Sequence, residues 1–151
     1  VFQKVEILTE KTTDLSQYVY GNIGRDLIDQ FEKMTMNFQT MSDQEIWDIA
    51  DPIMDNLMDA STQIDHARHV QDFTDRMKAI VTPEYFQCIC QQYQAEKGFF
   101  SNRVSVAVFR RPDSAAIVWR QSFTKTPGEF VAEMVLVYQN GRYWVDHVMV
   151  F

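Results

Sequence analysis

The sequence predicts an α+β fold in which N-terminal helices pack on a curved four-stranded antiparallel meander sheet. In the helical half, about 14–97, apolar residues recur every three or four positions, the period of an amphipathic helix. In the other half, about 100–151, they recur every second position, the period of a strand. Only short turns separate the predicted strands, and such short connections require antiparallel neighbours. A chain of 151 residues, 46% of them hydrophobic, suits a single domain, 1–151, with a sizeable core.

The composition excludes several classes of partner. The formal net charge is -7, from 14 Lys+Arg and 21 Asp+Glu, so we expect no binding to nucleic acid. No apolar run is long enough for a transmembrane helix. The first residue is Val1 rather than Met, so we expect contact with a membrane only through a removed or missing N-terminal segment.

Four helical segments are expected before the sheet. The first follows Asp14 as N-cap. Its apolar stripe consists of Leu15, Val19, Ile23, Leu27, Phe31, Met34 and Phe38. The second begins at the capping box of Ser42 and Glu45. Pro52 predicts either a kink in that helix or an end and a restart with Asp51 as cap.

The third helix is predicted from its apolar stripe, and the fourth from the residues at its two ends. The third is expected over about Ile64–Ile80. Its stripe is His66, Val70, Phe73, Met77 and Ile80. The fourth starts at Thr82 and Pro83 and stops at Gly98. Cys88-Ile89-Cys90 falls within it, where the thiols are expected to serve as small apolar residues rather than as a disulfide framework.

The last two predicted strands are apolar on both faces. A strand is expected near 103–108, followed by strands at 116–124, 130–138 and 143–151, and Asn140-Gly141 is a strong hairpin signal before the last one. An antiparallel sheet with one face in water should alternate apolar and polar residues instead. The second face must therefore be covered by another helix of the chain, by a protein partner or homodimer, or by a ligand.

The period leaves open which face the helices take. One candidate interaction face consists of Val131, Val135, Val137, Trp144, Val148 and Val150. Trp144 could instead belong to the core, where its replacement by Ala would cost about 3 kcal/mol. Glu133 is the charged residue of this face, and we expect it to pair with Arg120 on the neighbouring strand. The alternative is that the two side chains anchor a ligand.

The sheet half resembles a known superfamily. The resemblance is carried by Ile117-Val118-Trp119 with Phe123, by Glu133-Met134-Val135-Leu136, and by Asn140-Gly141-Arg142-Tyr143-Trp144-Val145. These pieces resemble the nuclear-transport-factor-2-like (cystatin-like) superfamily, and within it small exported bacterial domains of unknown function. The periplasmic scaffold domain of type IV secretion assemblies is the second resemblance. Both imply helices against a curved sheet and a periplasmic or exported location, and enzymes of the superfamily place carboxylates and His in the cone between sheet and helices.

Three residues of the last strand are candidates for catalysis. Asp146 would have a raised pKa if buried, which suits a general base, and His147 and Tyr143 are its neighbours. The alternative is that Asp146 pairs with Arg120, Arg142 or a backbone group.

A second cluster has the residue types of a metal site. Asp65, His66, His69 and Asp72 are spaced to share a helical face. His66 also lies on the apolar stripe, which favours a hydrogen-bonded core histidine. We therefore expect neither a metal nor a cofactor.

Three functions follow from these patterns. The first is a non-enzymatic exported domain that binds a protein partner or itself through its sheet. The second is a small-molecule-binding or enzymatic cone, with Asp146, His147 and Tyr143 near the pocket. The third is a scaffold subunit of a secretion assembly. An exposed apolar sheet face would favour the first or the third, and a closed cavity lined by Asp146 or His147 would favour the second.

Overall fold

The elements follow the predicted order, with helices first and the sheet second. The computed structural model describes Gly24, Leu27 and residues 36–151, and residues 36–151 form one compact unit. Gly24 and Leu27 are helical, and the rest of the predicted first helix before residue 36 lies outside the described residues. Phe38 was expected to end that helix, but it begins a separate 3-10 turn, Phe38–Thr40, after Asn37 in an extended conformation. The single-domain prediction for 1–151 stays a prediction.

The two long helices begin where their caps predict. In α1, Asp43–Gln63, the Ser42 hydroxyl accepts a hydrogen bond from the Glu45 backbone, and the Glu45 carboxylate accepts one from the Ser42 backbone. Pro52 lies inside this helix, which continues to Gln63, so the restart at Asp51 does not occur. We label the two short helices α2, His66–His69, and α3, Asp75–Ile80, and the second long helix α4, Pro83–Lys97.

The sheet is an antiparallel meander of four strands. They are β1 Phe100–Arg110, β2 Ser114–Phe123, β3 Phe130–Gln139 and β4 Arg142–Val150, in the order β1-β2-β3-β4. Asn140 and Gly141 both have positive φ, 52° and 76°, as the two-residue turn between β3 and β4 requires. The α+β prediction is therefore confirmed.

The prediction of one continuous third helix is wrong for the residues between α2 and α3. There the chain runs extended beside β4, because the Val145 N–H donates to the Asp72 carbonyl (2.7 Å) and the Thr74 N–H donates to the Val145 carbonyl (3.0 Å). Phe73, between them, makes a parallel bridge to Val145 and is completely buried. Burying a phenylalanine and pairing the backbone with a strand thus outweigh the local helical pattern.

One face of the sheet, the inner face, packs against the helices. Side chains of β2, β3 and β4 alternate into the core from this face, and those of α1, α3 and the Phe73 segment meet them. The fully buried apolar residues from the sheet are Ala115, Ile117, Trp119, Ala132, Met134, Leu136 and Val145, and Gln121 is buried with them. Those from the helical half include Phe38, Ile46, Ala50, Met54, Leu57 and Phe73.

A β-bulge at Asp146 corrects the predicted face assignment. Val145 pairs with Leu136 and His147 pairs with Val135, so Asp146 is an extra residue on β4. The alternation shifts by one position at this point. Val148 and Val150 consequently pack against the core. The prediction that Val148 and Val150 share a face with Val131, Val135 and Val137 is therefore wrong.

Candidate functional site

The face of the sheet that points away from the helices, here called the outer face, is mostly apolar. The strand register assigns to it Val104, Ala107, Phe109, Ala116, Val118, Arg120, Val131, Glu133, Val135, Val137, Trp144, His147 and Met149. Phe109 is 61% exposed and Met149 is 50% exposed, while the three valines of β3 are half-buried by their neighbours in the sheet. The helices of the described chain bury their apolar side chains against the inner face instead. The outer face is thus an apolar surface that the helices of residues 36–151 do not cover.

A hydrogen-bonded pair, Glu133 and His147, lies in the middle of the outer face. The Glu133 Oε1 and His147 Nε2 atoms are 2.8 Å apart, and both side chains are just over one third exposed. The predicted pairing of Glu133 with Arg120 is wrong, because the register sets Glu133 opposite Val118 and Arg120 opposite Val131. Arg120 pairs with Glu129 instead, at 3.0 Å.

Trp144 lies at one corner of the outer face and not in the core. It stands opposite Val137, its indole N–H donates to the Gln139 carbonyl at 3.0 Å, and the Arg142 guanidinium stacks 4.0 Å from its ring. The tryptophan of the core is Trp119, which is 1% exposed. Its alternation with Ile117 in β2 was the sequence signal that could have identified it.

Asp146 is held in an ion pair and does not have the properties of a general base. Its carboxylate accepts hydrogen bonds from the Thr74 hydroxyl (2.9 Å) and from Arg76 Nε (3.2 Å). Burial raises the pKa of Asp146, but the hydrogen bonds from Arg76 and Thr74 and the positive charge nearby outweigh it, so the pKa lies below its usual value. The expected raised pKa and the expected partners Arg120 and Arg142 are therefore wrong.

The three catalytic candidates do not converge on one site. Asp146 faces α3, and His147 lies on the outer face. Tyr143 lies on the inner face, edge-on to Phe38 and Tyr138, with its hydroxyl 3.5 Å from Met36 Sδ. Burial raises the pKa of the Tyr143 phenol, helped by Tyr138 and Glu45.

A cleft of about 300 Å³ lies between α4 and the inner side of the sheet. Its walls are largely aromatic, and none of the three catalytic candidates lines it. The side chains with polar groups in its wall are those of Ser61, His69, Tyr85, Cys90, Tyr93 and Lys97. Of these, sequence reasoning singled out only His69 and Cys90, and assigned neither to a pocket.

His69 is a neutral histidine in the wall of this cleft. Its Nδ1 lies 3.0 Å from the Leu57 carbonyl, which can only accept, so Nδ1 carries the proton. Burial lowers the pKa of His69 to about 4, outweighing the Leu57 carbonyl, which raises it, and His66, which lowers it slightly further. The ring lies 4.4 Å from that of Phe86. Burial also raises the pKa of the Cys90 thiol.

The proposed metal ligands have other partners. His66 Nε2 lies 2.7 Å from the Val81 carbonyl, the Asp65 carboxylate caps α2, and Asp72 pairs with Arg142. Within residues 36–151, no three His, Cys, Asp or Glu side chains are grouped to hold a metal ion. The absence of a metal and a cofactor stays a prediction.

The two edges of the sheet are poorly suited to pairing with another strand. The segment 72–74 already bonds to the free edge of β4 at Val145. On β1, two register shifts, after Phe100 and after Ser105, interrupt the ladder.

No family model matches the chain, and no curated protein matches it. The resemblance to the nuclear-transport-factor-2-like superfamily therefore stays a prediction. Among the described helices, none has the length and hydropathy needed to cross a membrane.

Proposed function

We propose that this chain is a non-enzymatic domain that associates with a second copy of itself through the outer face. The observation that carries the proposal is the apolar outer face, with Phe109 and Met149 at least half exposed. Monomeric soluble proteins rarely leave an apolar patch of several hundred Å² in water. An exported or periplasmic location belongs to the proposal too, and rests on the resemblance alone.

The size of the outer face fits a dimer of moderate affinity. Four strands about 4.8 Å apart and about ten residues long, at about 3.3 Å per residue, span about 600 Å². A stable interface of standard size covers about 800 Å² on each partner. The outer face is slightly smaller, so we expect a reversible dimer and not a permanent one.

The charges on the outer face suit a twofold arrangement. In a symmetric dimer the same patch meets itself. A twofold axis between Glu133 and His147, which lie 2.8 Å apart, would bring Glu133 of each copy towards His147 of the other. The Glu133 carboxylate of each copy would then have an imidazole partner across the interface, so that neither copy buries an unpaired carboxylate.

The obstructed edges favour contact through the face. Edge-to-edge pairing needs a row of free backbone groups, but the β4 edge is occupied at Val145 and the β1 ladder is interrupted by bulges. A second copy therefore has an apolar face available and no long regular edge among the described strands.

The test places a charge on each face of the sheet. Phe109→Glu and Val135→Glu should leave the domain folded and raise the dimer Kd by about tenfold or more, because each buries a carboxylate in the interface. Ile80→Glu is the matched control, since Ile80 is 54% exposed and lies on α3. Met134→Glu should unfold the domain, because Met134 is completely buried on the inner face.

Sedimentation velocity over a concentration series measures the association, and circular dichroism checks the fold. A wild-type chain that stays monomeric at the highest concentration contradicts the proposal. A dimer that persists in both Phe109→Glu and Val135→Glu places the interface elsewhere. Association only with a different protein would identify a heteromeric partner for the same face.

A further inference from the structure

We infer that the cleft beside α4 binds an unbranched carboxylate, an anionic head on a single alkyl chain of about ten carbons. Nothing in this inference depends on self-association, because the cleft is on the inner side of the sheet. Three properties of the cleft carry it: its shape, the composition of its walls and a cation at one end.

The shape of the cleft fits one extended chain. The α4 residues in its wall run from Tyr85 to Lys97, which at about 1.5 Å per residue is a length of about 18 Å. A cleft of about 300 Å³ that extends over this length is elongated rather than round. A ligand that fills such a cleft along its length is extended, as a single alkyl chain is. An extended chain of about ten carbons is shorter than the cleft and can lie along it.

The walls of the cleft are apolar along most of its length. Phe73 and Phe86 are almost fully buried beside it, and Tyr93, Phe100 and Phe123 lie near its other end. His69 adds no charge near neutral pH, because its pKa lies at about 4. An alkyl chain would replace water against these rings, a favourable exchange of about 0.8 kcal/mol for each buried CH₂ group.

Lys97 supplies the charge that selects the head group. Its Nζ lies 5.5 Å from the Phe123 ring and 4.9 Å from the Phe130 ring, so the ammonium is held over aromatic faces at the end of α4. Among the described residues no carboxylate lies within 4.0 Å of this Nζ. An ammonium beside an apolar passage, without a carboxylate of its own, is complementary to a ligand carboxylate and repels a ligand amine.

The test uses decanoate as the probe, with two matched ligands. Isothermal titration calorimetry below the micellar concentration should show 1:1 binding of decanoate. Decylamine has the same chain with the opposite charge, and adamantane-1-carboxylate has the same head on a compact rigid body that cannot extend along the cleft. Both should bind at least tenfold more weakly. Equal binding of decylamine overturns the role of the cation, and equal binding of adamantane-1-carboxylate overturns the shape argument.

Three variants connect the binding to the cleft. Lys97→Gln should weaken decanoate binding by tenfold or more, and Ile89→Trp should abolish it by filling the cleft from a residue that is 41% exposed and tolerates the change. Lys78→Gln is the control, because Lys78 lies over Trp144 and does not line the cleft. Circular dichroism verifies that each variant is folded.

The remaining outcomes also decide the question. No binding of decanoate by the wild-type chain overturns the inference, as does unchanged binding by Ile89→Trp. Co-sedimentation with phosphatidylglycerol vesicles distinguishes a free carboxylate from a membrane lipid. Vesicle binding that is lost in Ile89→Trp would replace the free acid by a lipid acyl chain.

Discussion

At the scale of single residues, buried polar groups owe their state to neighbours that are distant in the sequence. His69 is neutral because the Leu57 carbonyl fixes the proton on Nδ1 and burial disfavours the charged ring. The pKa of Asp146 lies below its usual value because Thr74 and Arg76, about 70 residues earlier, donate to its carboxylate. Neither partner follows from the spacing of residues, so the sequence could nominate these two side chains without predicting their protonation.

The lowered pKa of His69 makes the fold sensitive to moderate acid. The unfolded chain takes up a proton near pH 6.5, whereas the folded chain does not until about pH 4. The free energy of unfolding should therefore fall as the pH drops through this window, by up to about 3 kcal/mol from this residue. In His69→Gln, whose amide can still donate to Leu57, this loss should be absent.

Urea denaturation of both proteins between pH 7 and pH 4 measures the difference. Acidic groups titrate in both chains, so their contribution cancels in the comparison. Parallel stability curves for the wild-type chain and His69→Gln would show that the folded and unfolded states protonate His69 alike.

At the scale of elements, local rules predicted the boundaries that local chemistry determines. The Ser42 capping box, the Thr82 cap of α4 and the Asn140-Gly141 turn all lie where the sequence placed them. Two errors came from tertiary contacts. Phe73 is extended and not helical, because burial in the core and pairing with the β4 edge both stabilise that conformation. The bulge at Asp146 reverses the faces of the β4 residues that follow Asp146. A pattern of period two cannot reveal an inserted residue.

The contact of α1 with the sheet depends more on the Asp51 carboxylate than on the Asp55 carboxylate. The Asp51 carboxylate accepts the indole N–H of Trp119 at 2.8 Å, while Asp55 pairs with Arg103 at 2.6 Å. Trp119 is buried, so Asp51→Ala leaves its N–H without a partner and should cost about 1–3 kcal/mol of stability. Asp55 is 71% exposed, and Asp55→Ala should cost less than about 1 kcal/mol.

Chemical denaturation of the two variants tests this difference. Asp51→Asn keeps an acceptor oxygen for the indole and should retain most of the stability that Asp51→Ala loses. Equal costs for Asp51→Ala and Asp55→Ala would mean that water satisfies the Trp119 N–H after the change.

At the scale of the whole molecule, the fold class followed from the change of hydrophobic period, but the position of the surfaces did not. Both faces of β3 are apolar, so only the packing of the helices reveals that Met134 is buried and Val135 is not. The cleft could not be predicted from the sequence, because it is formed by α4 together with the ends of β1, β2 and β4. Ser61, His69, Phe73 and Val81 from other parts of the chain complete its wall, and the lining residues share no motif.

The two proposed surfaces lie on opposite sides of one sheet, and they should therefore act independently. Substitutions that share no partner usually have additive effects on free energy, to within about 0.5 kcal/mol. Phe109→Glu should thus weaken the dimer and leave the decanoate Kd unchanged, whereas Lys97→Gln should do the reverse. The double variant should show the sum of the two losses.

Met149 is the position where this independence should fail. It is opposite Glu133 on the outer face and it also lines the cleft at the edge strand β4. Met149→Ala should therefore weaken both the dimer and the binding of decanoate, and Ile80→Glu should weaken neither. Sedimentation velocity with and without saturating decanoate completes the measurement: an unchanged dimer Kd is expected. A dimer that dissociates when decanoate binds would mean that the sheet transmits the ligand's effect from one face to the other, against additivity.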